Sequence, residues 1–271
     1  MNDPAGIAAL FADPFLDAIL AGRREGILLL DYDGTLAPFR DRRDQAVPYP
    51  GVVETLGRLP AHGPGRFAVV SGRMGAEVAD FLHPARPSEI WGCHGAERLS
   101  PGGAPRIQAM PWQWEEALRR AFDLAAEAAP AGALEWKTVS LALHWRGMDT
   151  AEQQRLARHV GSLWAELARQ TGLVPHAFDG GLELRPPGWD KGLAVRAMRR
   201  ENPGAALVYL GDDLTDEDAF QALGPSDIGV LVRERPRLTL ARYRITPPGE
   251  LLGFLRVWAD SMRGAPHEPR R

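Results

Sequence analysis

Apolar residues recur along this chain in two rhythms. Some form continuous runs that stop abruptly at polar residues: Ile27-Leu28-Leu29-Leu30 before Asp31, Phe67-Ala68-Val69-Val70 before Ser71, and Ala206-Leu207-Val208-Tyr209-Leu210 before Gly211-Asp212-Asp213. A short unbroken apolar run suits a strand buried on both faces of a parallel sheet. Ile90-Trp91 and Ile228–Val232 predict two more strands. Three-to-four spacing predicts helices around 51–59, 75–82, 190–200, 216–223 and 249–260. Residues 5–21 show the same spacing through Ile7, Leu10, Phe11, Leu16, Ile19 and Leu20. Strands alternating with helices imply an α/β fold built on a doubly wound parallel sheet. Ligands bind beyond the carboxyl ends of the strands in such sheets, so Asp31, Ser71, Asp212 and Asp213 are expected in one cleft.

The middle of the chain follows the second rhythm. Helical patterns at 113–129 and 151–171 accompany period-two alternation at 133–146 and 182–185. This predicts a small α+β domain at 104–186, inserted into a discontinuous core of 1–103 and 187–262, with a disordered tail at 263–271. Alternation also sorts faces. Leu134, Trp136, Val139, Leu141, Leu143, Trp145, Leu182 and Leu184 are expected to pack on the insert's helices. Glu135, Lys137, Ser140, Ala142, His144, Arg146, Glu183 and Arg185 are expected on the opposite face, turned to the cleft or to solvent.

Composition narrows the classes. The 271 residues, 45% hydrophobic and 25% charged, describe an ordinary globular chain and exclude collagen or extended disorder. A net charge of -3 offers no basic field for nucleic acid or an anionic membrane. No apolar stretch approaches the roughly 20 residues of a membrane helix. Asp3, Asp13 and Asp17 precede the first basic residue, Arg23, which is unlike a signal peptide; a cytoplasmic location is expected. Cys93, the only cysteine, excludes an intrachain disulfide and reads as a small buried filler. Only Lys137 and Lys191 among the 32 basic side chains are lysines, which hints that a compact ammonium is needed at those two positions.

The strand ends carry the chemistry. Asp31-Tyr32-Asp33-Gly34-Thr35 places two carboxylates at the mouth of a sheet, a costly arrangement unless a cation compensates. Mg²⁺ suits oxygen ligands; the alternative is a capping aspartate followed by a turn aspartate. Ser71-Gly72-Arg73 offers a hydroxyl and backbone N–H groups to phosphate at a helix start. Asp212 and Asp213 add metal ligands, Thr215 with Asp218 reads as a capping pair, and Lys191 is placed to neutralise a phosphoryl group and a carboxylate.

This ordered set resembles the haloacid dehalogenase superfamily of aspartate-nucleophile phosphatases. The surrounding words, Asp31–Pro38, Val70–Arg73, Gly92–Glu97, Ser140–Arg146, Glu183–Pro186, Trp189–Gly192 and Gly211–Asp218, are similar to the trehalose-6-phosphate phosphatase family from residue 27 to about 220. Trp145 stands where that family usually has Tyr, and Asp190 where it has Asn. The resemblance implies a Rossmann-like core with an inserted α+β cap, and an Mg²⁺-dependent hydrolysis of trehalose 6-phosphate in trehalose biosynthesis. Asp31 would be the nucleophile and Asp33 the acid and base. Asp31, the Asp33 carbonyl and Asp212 would hold Mg²⁺, with Asp213 behind a water. Ser71, Gly72, Arg73 and Lys191 would meet phosphate. His94, Glu97, Glu135, Lys137, His144, Arg146, Glu183 and Arg185 would meet the sugar, His94 and Glu97 alternatively fixing their own loop. A monomer is expected, acting on a small molecule and functionally coupled to a trehalose-6-phosphate synthase. Sucrose-phosphate and mannosyl-3-phosphoglycerate phosphatases are the neighbouring alternatives.

Overall fold

The computed structural model describes residues 3–40, 42–178 and 180–264. Its strands are β1 (Gly26–Leu30), β2 (Phe67–Val70), β3 (Glu89–Gly92), β4 (Glu97–Leu99), β5 (Arg106–Ile107), β6 (Leu134–Trp136), β7 (Leu141–His144), β8 (Val174–Phe178), β9 (Gly181–Arg185), β10 (Ala206–Gly211), β11 (Ile228–Val232) and β12 (Tyr243–Ile245). The helices are α1 (Ile7–Phe11), α2 (Pro14–Leu20), α3 (Val52–Leu56), α4 (Gly75–Leu82), α5 (Trp112–Ala126), α6 (Thr150–Thr171), α7 (Lys191–Glu201), α8 (Glu217–Ala222) and α9 (Gly249–Gly264).

Eight strands form one sheet in the order β12-β11-β10-β1-β2-β3-β4-β5. It is parallel from β12 to β3 and antiparallel from β3 to β5. The continuous apolar runs are explained by burial on both sides. Leu28, Leu30, Val69, Val208 and Leu210 pack with Leu16, Leu56, Phe254 and Trp258. Ile27, Leu29, Val70, Leu207 and Tyr209 face Val195, Met198 and Phe220. Each fully buried side chain of this size contributes about 1.5–3 kcal/mol.

The second sheet, β6-β7-β9-β8, is antiparallel throughout. Leu141, Leu143 and Leu184 pack against Leu118, Ala121, Leu156 and Trp164 of α5 and α6. Trp136 keeps to this face by stacking on Phe122 of α5, although it is 44% exposed. Val139 meets Cys93, Ala96 and Trp189 instead of the two helices. Cys93 is indeed buried.

Several elements differ from the pattern. Residues 5–21 form two helices, because the Asp13 carboxylate caps Phe15 N and Leu16 N and Pro14 opens a new helix. Arg106–Ile107, inside the expected insert, pairs with β4 at the edge of the larger sheet. α9 runs to Gly264, two residues into the expected tail; the remainder of that tail, 265–271, lies outside the described residues. Among the described residues no helix is long and apolar enough to cross a membrane.

Candidate active site

β1 delivers Asp31 beside the end of β10, where Asp31 N donates to Leu210 O at 2.9 Å. Lys191, the first residue of α7, is 3% exposed; its Nζ lies 2.6 Å from Asp31 Oδ1 and 2.8 Å from Asp216 Oδ1. Asp216 also accepts from the Tyr209 hydroxyl at 2.7 Å, from Asp212 N at 3.0 Å and from Asp213 N at 2.9 Å. Gly34, with φ +87°, lets the first loop approach β10, since a Cβ there would overlap the Asp212 carboxylate.

Three buried carboxylates, Asp31, Asp212 and Asp216, thus bring oxygens within 4.8 Å of one another. Burial, opposed by Lys191 and reinforced by Asp216 and Asp33, pushes Asp31 up to about 7. Burial, with Asp31 and Asp216 beside it, raises Asp212 well above the usual carboxylate range. Burial alone would lower Lys191, but Asp216 and Asp31 outweigh it and keep the ammonium charged. Both Asp216 oxygens have partners, whereas Asp31 Oδ2 and Asp212 Oδ1 are buried with none. Unpaired carboxylate oxygens on neighbouring acids suit a hard divalent cation, so the residues present fit a metal. Asp216 is a member of this group that sequence patterning did not single out.

Asp33 lines the same cavity as Asp31 but lies outside the three-carboxylate group, and Arg73 holds it, with Arg73 Nε–Asp33 Oδ2 and Nη2–Oδ1 both 2.7 Å. Arg73 also pairs with Glu77 and lies 5.3 Å from the centroids of Tyr32 and Phe81. Its guanidinium is committed to fixing Asp33, and its backbone N–H, one of those the sequence offers to phosphate, donates to Ser71 Oγ at 3.1 Å. The Asp213 carboxylate caps a 3₁₀ turn by accepting from Leu214 N, reciprocated by Asp216. The capping pair is therefore Asp213 with Asp216, not Thr215 with Asp218, and Asp213 stands outside the carboxylate group. Ser71 itself is buried.

Between the two sheets lies a cavity of about 610 Å³. Asp31, Asp33, Gly72, Arg73 and Lys191 line its core side; Glu135, Lys137, His144, Arg146 and Glu183 line the opposite side, with His94 between. The five insert residues come from the face that alternation assigns to the cleft or to solvent, and Leu134 from the other face joins them. Glu183 is 1% exposed, with Lys137 Nζ at 3.0 Å and His94 Nε2 at 2.9 Å. Burial would raise it, but His94, Lys137 and Arg185 hold it well below the usual range. Burial pushes His94 down to about 4 against the pull of Glu183. His144 Nε2 pairs with Glu135 Oε2 at 2.7 Å.

Two expected sugar contacts lie elsewhere. Glu97 accepts from Gly75 N at 2.6 Å at the start of α4, so it fixes its loop away from the cavity lining. Arg185 is fully buried where β9 returns to the core, 3.9 Å from Asp218 and outside the cavity lining. Phe39, Arg40 and Phe178 do line the cavity; no motif marked them.

A family model described as trehalose-phosphatase matches residues 29–244. The trehalose-6-phosphate phosphatase of Escherichia coli is 30% identical over 241 residues, covering 86% of this chain and 86% of that protein. The trehalose-phosphate phosphatase of Mycolicibacterium paratuberculosis is 34% identical over 262 residues, 90% of this chain and 64% of that one. A Mycobacterium tuberculosis protein named as an uncharacterized glycosyl hydrolase is 32% identical over 266 residues, and this chain spans only 19% of its length. Among solved structures, the C-terminal domain of the Candida albicans trehalose-6-phosphate phosphatase superposes with a TM-score of 0.79 at 21% identity, covering 96% of this chain and 98% of that one. A haloacid dehalogenase-like hydrolase from Bacteroides thetaiotaomicron gives 0.61 at 17% identity, covering 86% and 98%. The structural likenesses establish the fold. With the family match over most of its length and a buried aspartate–lysine pair at the floor of the cavity, the chain belongs to the trehalose-phosphatase family.

Proposed function

We propose that this phosphatase hydrolyses trehalose 6-phosphate to trehalose and phosphate, with Asp31 as nucleophile and Mg²⁺ as metal. The observation that carries the reading is Asp31 itself. It is buried at the cavity floor with one oxygen on Lys191 and the other without a partner. Asp31 and Asp212 would hold the Mg²⁺, whose chemistry is to offset the negative charge of the phosphate and of the carboxylates around it.

The Asp31 carboxylate attacks phosphorus, and the bond from phosphorus to the sugar oxygen breaks as Asp33 donates its proton to that oxygen. An aspartyl-phosphate remains on Asp31. Asp33 then takes a proton from the water that attacks this phosphorus, releasing phosphate and restoring Asp31. The two-point grip of Arg73 fixes the orientation of the Asp33 carboxyl group at the cavity. Lys191, the Ser71 hydroxyl and the Gly72 N–H hold the non-bridging oxygens. Glu135, Lys137, His144, Arg146 and Glu183 supply donors and acceptors to a disaccharide, and a cavity of about 610 Å³ is of the size such ligands occupy. The same reading makes the chain a cytoplasmic monomer acting without nucleic acid or membrane, functionally coupled to a trehalose-6-phosphate synthase.

The test is phosphate release from trehalose 6-phosphate, sucrose 6-phosphate, mannosyl-3-phosphoglycerate and glucose 6-phosphate, each with and without Mg²⁺. A preference of at least about tenfold in kcat/KM for trehalose 6-phosphate, worth about 1.4 kcal/mol, is expected. Equal rates across the panel would remove the substrate assignment; full activity after exhaustive chelation would remove the metal.

A further inference from the structure

The insert's polar face meets the core loop through an aromatic ring. Phe39 follows Pro38 at the exit of the turn that closes with Gly34 N donating to Ala37 O at 2.7 Å. Its half-buried ring lines the same cavity as Asp31 and Asp33. Across that cavity stands Arg146, two residues beyond β7, with its guanidinium carbon 4.9 Å from the Phe39 ring centroid. The β8–β9 turn abuts the same side chain. Gly180 has φ +95° and no Cβ; one built there would come 3.0 Å from Arg146 Nε and 3.3 Å from Nη2. The guanidinium is therefore held between a glycine backbone and an aromatic ring. Packed in this way, a planar guanidinium directs its N–H donors edgewise in its own plane, a geometry suited to hydroxyls lying in the cavity.

We propose that Phe39 is a specificity-determining residue for a disaccharide phosphate: it forms the core-side wall of the sugar site and positions Arg146. This rests on reading the cavity as a trehalose 6-phosphate site. Sugar recognition by the insert is thereby tied to the loop that carries Asp31. Leucine keeps an apolar wall at this position but has no π face for the cation; tyrosine keeps the face.

The experiment measures kcat/KM for trehalose 6-phosphate, glucose 6-phosphate and p-nitrophenyl phosphate in the parent, Phe39→Leu, Phe39→Tyr, Arg146→Ala and the Phe39→Leu/Arg146→Ala double variant. In Phe39→Leu the ratio of trehalose 6-phosphate to aryl phosphate should fall about 5- to 30-fold, mainly through KM. Phe39→Tyr should recover it to within about threefold. The double variant should be within about threefold of Arg146→Ala alone, since both changes remove one interaction. The role of Phe39 is overturned if the leucine variant keeps the ratio within about twofold, if tyrosine fails as leucine does, or if the two single losses multiply. A parent that turns over glucose 6-phosphate as well as trehalose 6-phosphate would instead overturn the disaccharide reading, and the role of Phe39 with it.

Discussion

Stripping divalent metal should turn the Asp31–Asp212–Asp216 cluster into a pH-dependent weak point. The perturbation is a chelator, and the variant that isolates it is Asp31→Asn. Asp31 is 2% exposed and its carboxyl is raised from 3.8 to about 7, chiefly by burial. A raised folded value means that the native state binds a proton the unfolded chain has given up. The associated stability is fully present below 3.8 and is lost as pH rises through about 7. That displacement corresponds to about 4 kcal/mol. Asp212, raised by the same burial, acts in the same direction. Glu183, held low, acts in the opposite one, so the comparison must be a difference. Urea unfolding in chelator from about pH 4 to pH 7.5 should cost the parent about 3–4 kcal/mol more than Asp31→Asn, whose amide does not titrate. Saturating Mg²⁺ should remove most of that slope, because the cation takes the proton's place; a hundredfold excess over its dissociation constant adds about 2.7 kcal/mol. Parallel pH curves for parent and variant in chelator would refute the reasoning. So would Mg²⁺ stabilising both proteins equally at every pH.

Asp31→Asn should also abolish turnover with the fold intact by circular dichroism, since an amide forms no acyl-phosphate; phosphate release within about tenfold of the parent would show that Asp31 is not the nucleophile. Lys191→Arg should lose most activity despite keeping its charge, because a planar fork cannot occupy the buried site between Asp31 and Asp216; parent-like kinetics would contradict this. Gly34→Ala should cost about 1–3 kcal/mol in backbone strain and weaken Mg²⁺ binding by displacing Asp212, read by thermal unfolding and by Mg²⁺ titration. Arg146→Ala and Glu183→Gln should each lower kcat/KM on trehalose 6-phosphate about 5- to 150-fold and lower aryl phosphate hydrolysis much less; an equal fall on both substrates would assign them to the core or to closure of the insert.

The parallel strands β1, β2, β3, β10 and β11 were legible because burial on both faces leaves an unbroken apolar run, whereas the partly exposed edge strand β12 was not; Asp31, Ser71 and Asp212 follow because chemistry sits at the ends of such runs. The insert's faces were legible because alternation survives wherever one face is buried. β8 was not: Val174-Pro175-His176-Ala177-Phe178 is nowhere fully buried, so its composition carries no clean period. Depth was equally invisible. Arg185 shares a face with Glu183, yet lies where the strand rejoins the core, so it is buried against Asp218 rather than presented to the cavity. Asp216 could not be distinguished from its acidic neighbours, because its role comes from Tyr209, seven residues back on β10, and from Lys191 at the start of α7. Arg73 could not be separated from a phosphate ligand without seeing Asp33 already in its grip.

The strand carrying Asp31 is central in its sheet, and its two neighbours arrive at very different times during synthesis. β2 pairs with β1 after a gap of tens of residues, whereas β10 begins at Ala206, opposite Gly26. On the ribosome one edge of β1 therefore stays open while the whole 133–185 segment emerges, ahead of its last partner. Long-range parallel pairing of this kind is slow and exposes unpaired strand edges. Any chain stopped before α7 and β10 lacks Lys191 and Asp212 together, leaving the Asp31 carboxylate with neither its ammonium nor its neighbouring carboxylate. Maturation of the reactive centre is thus bound to completion of the core sheet rather than to folding of the insert.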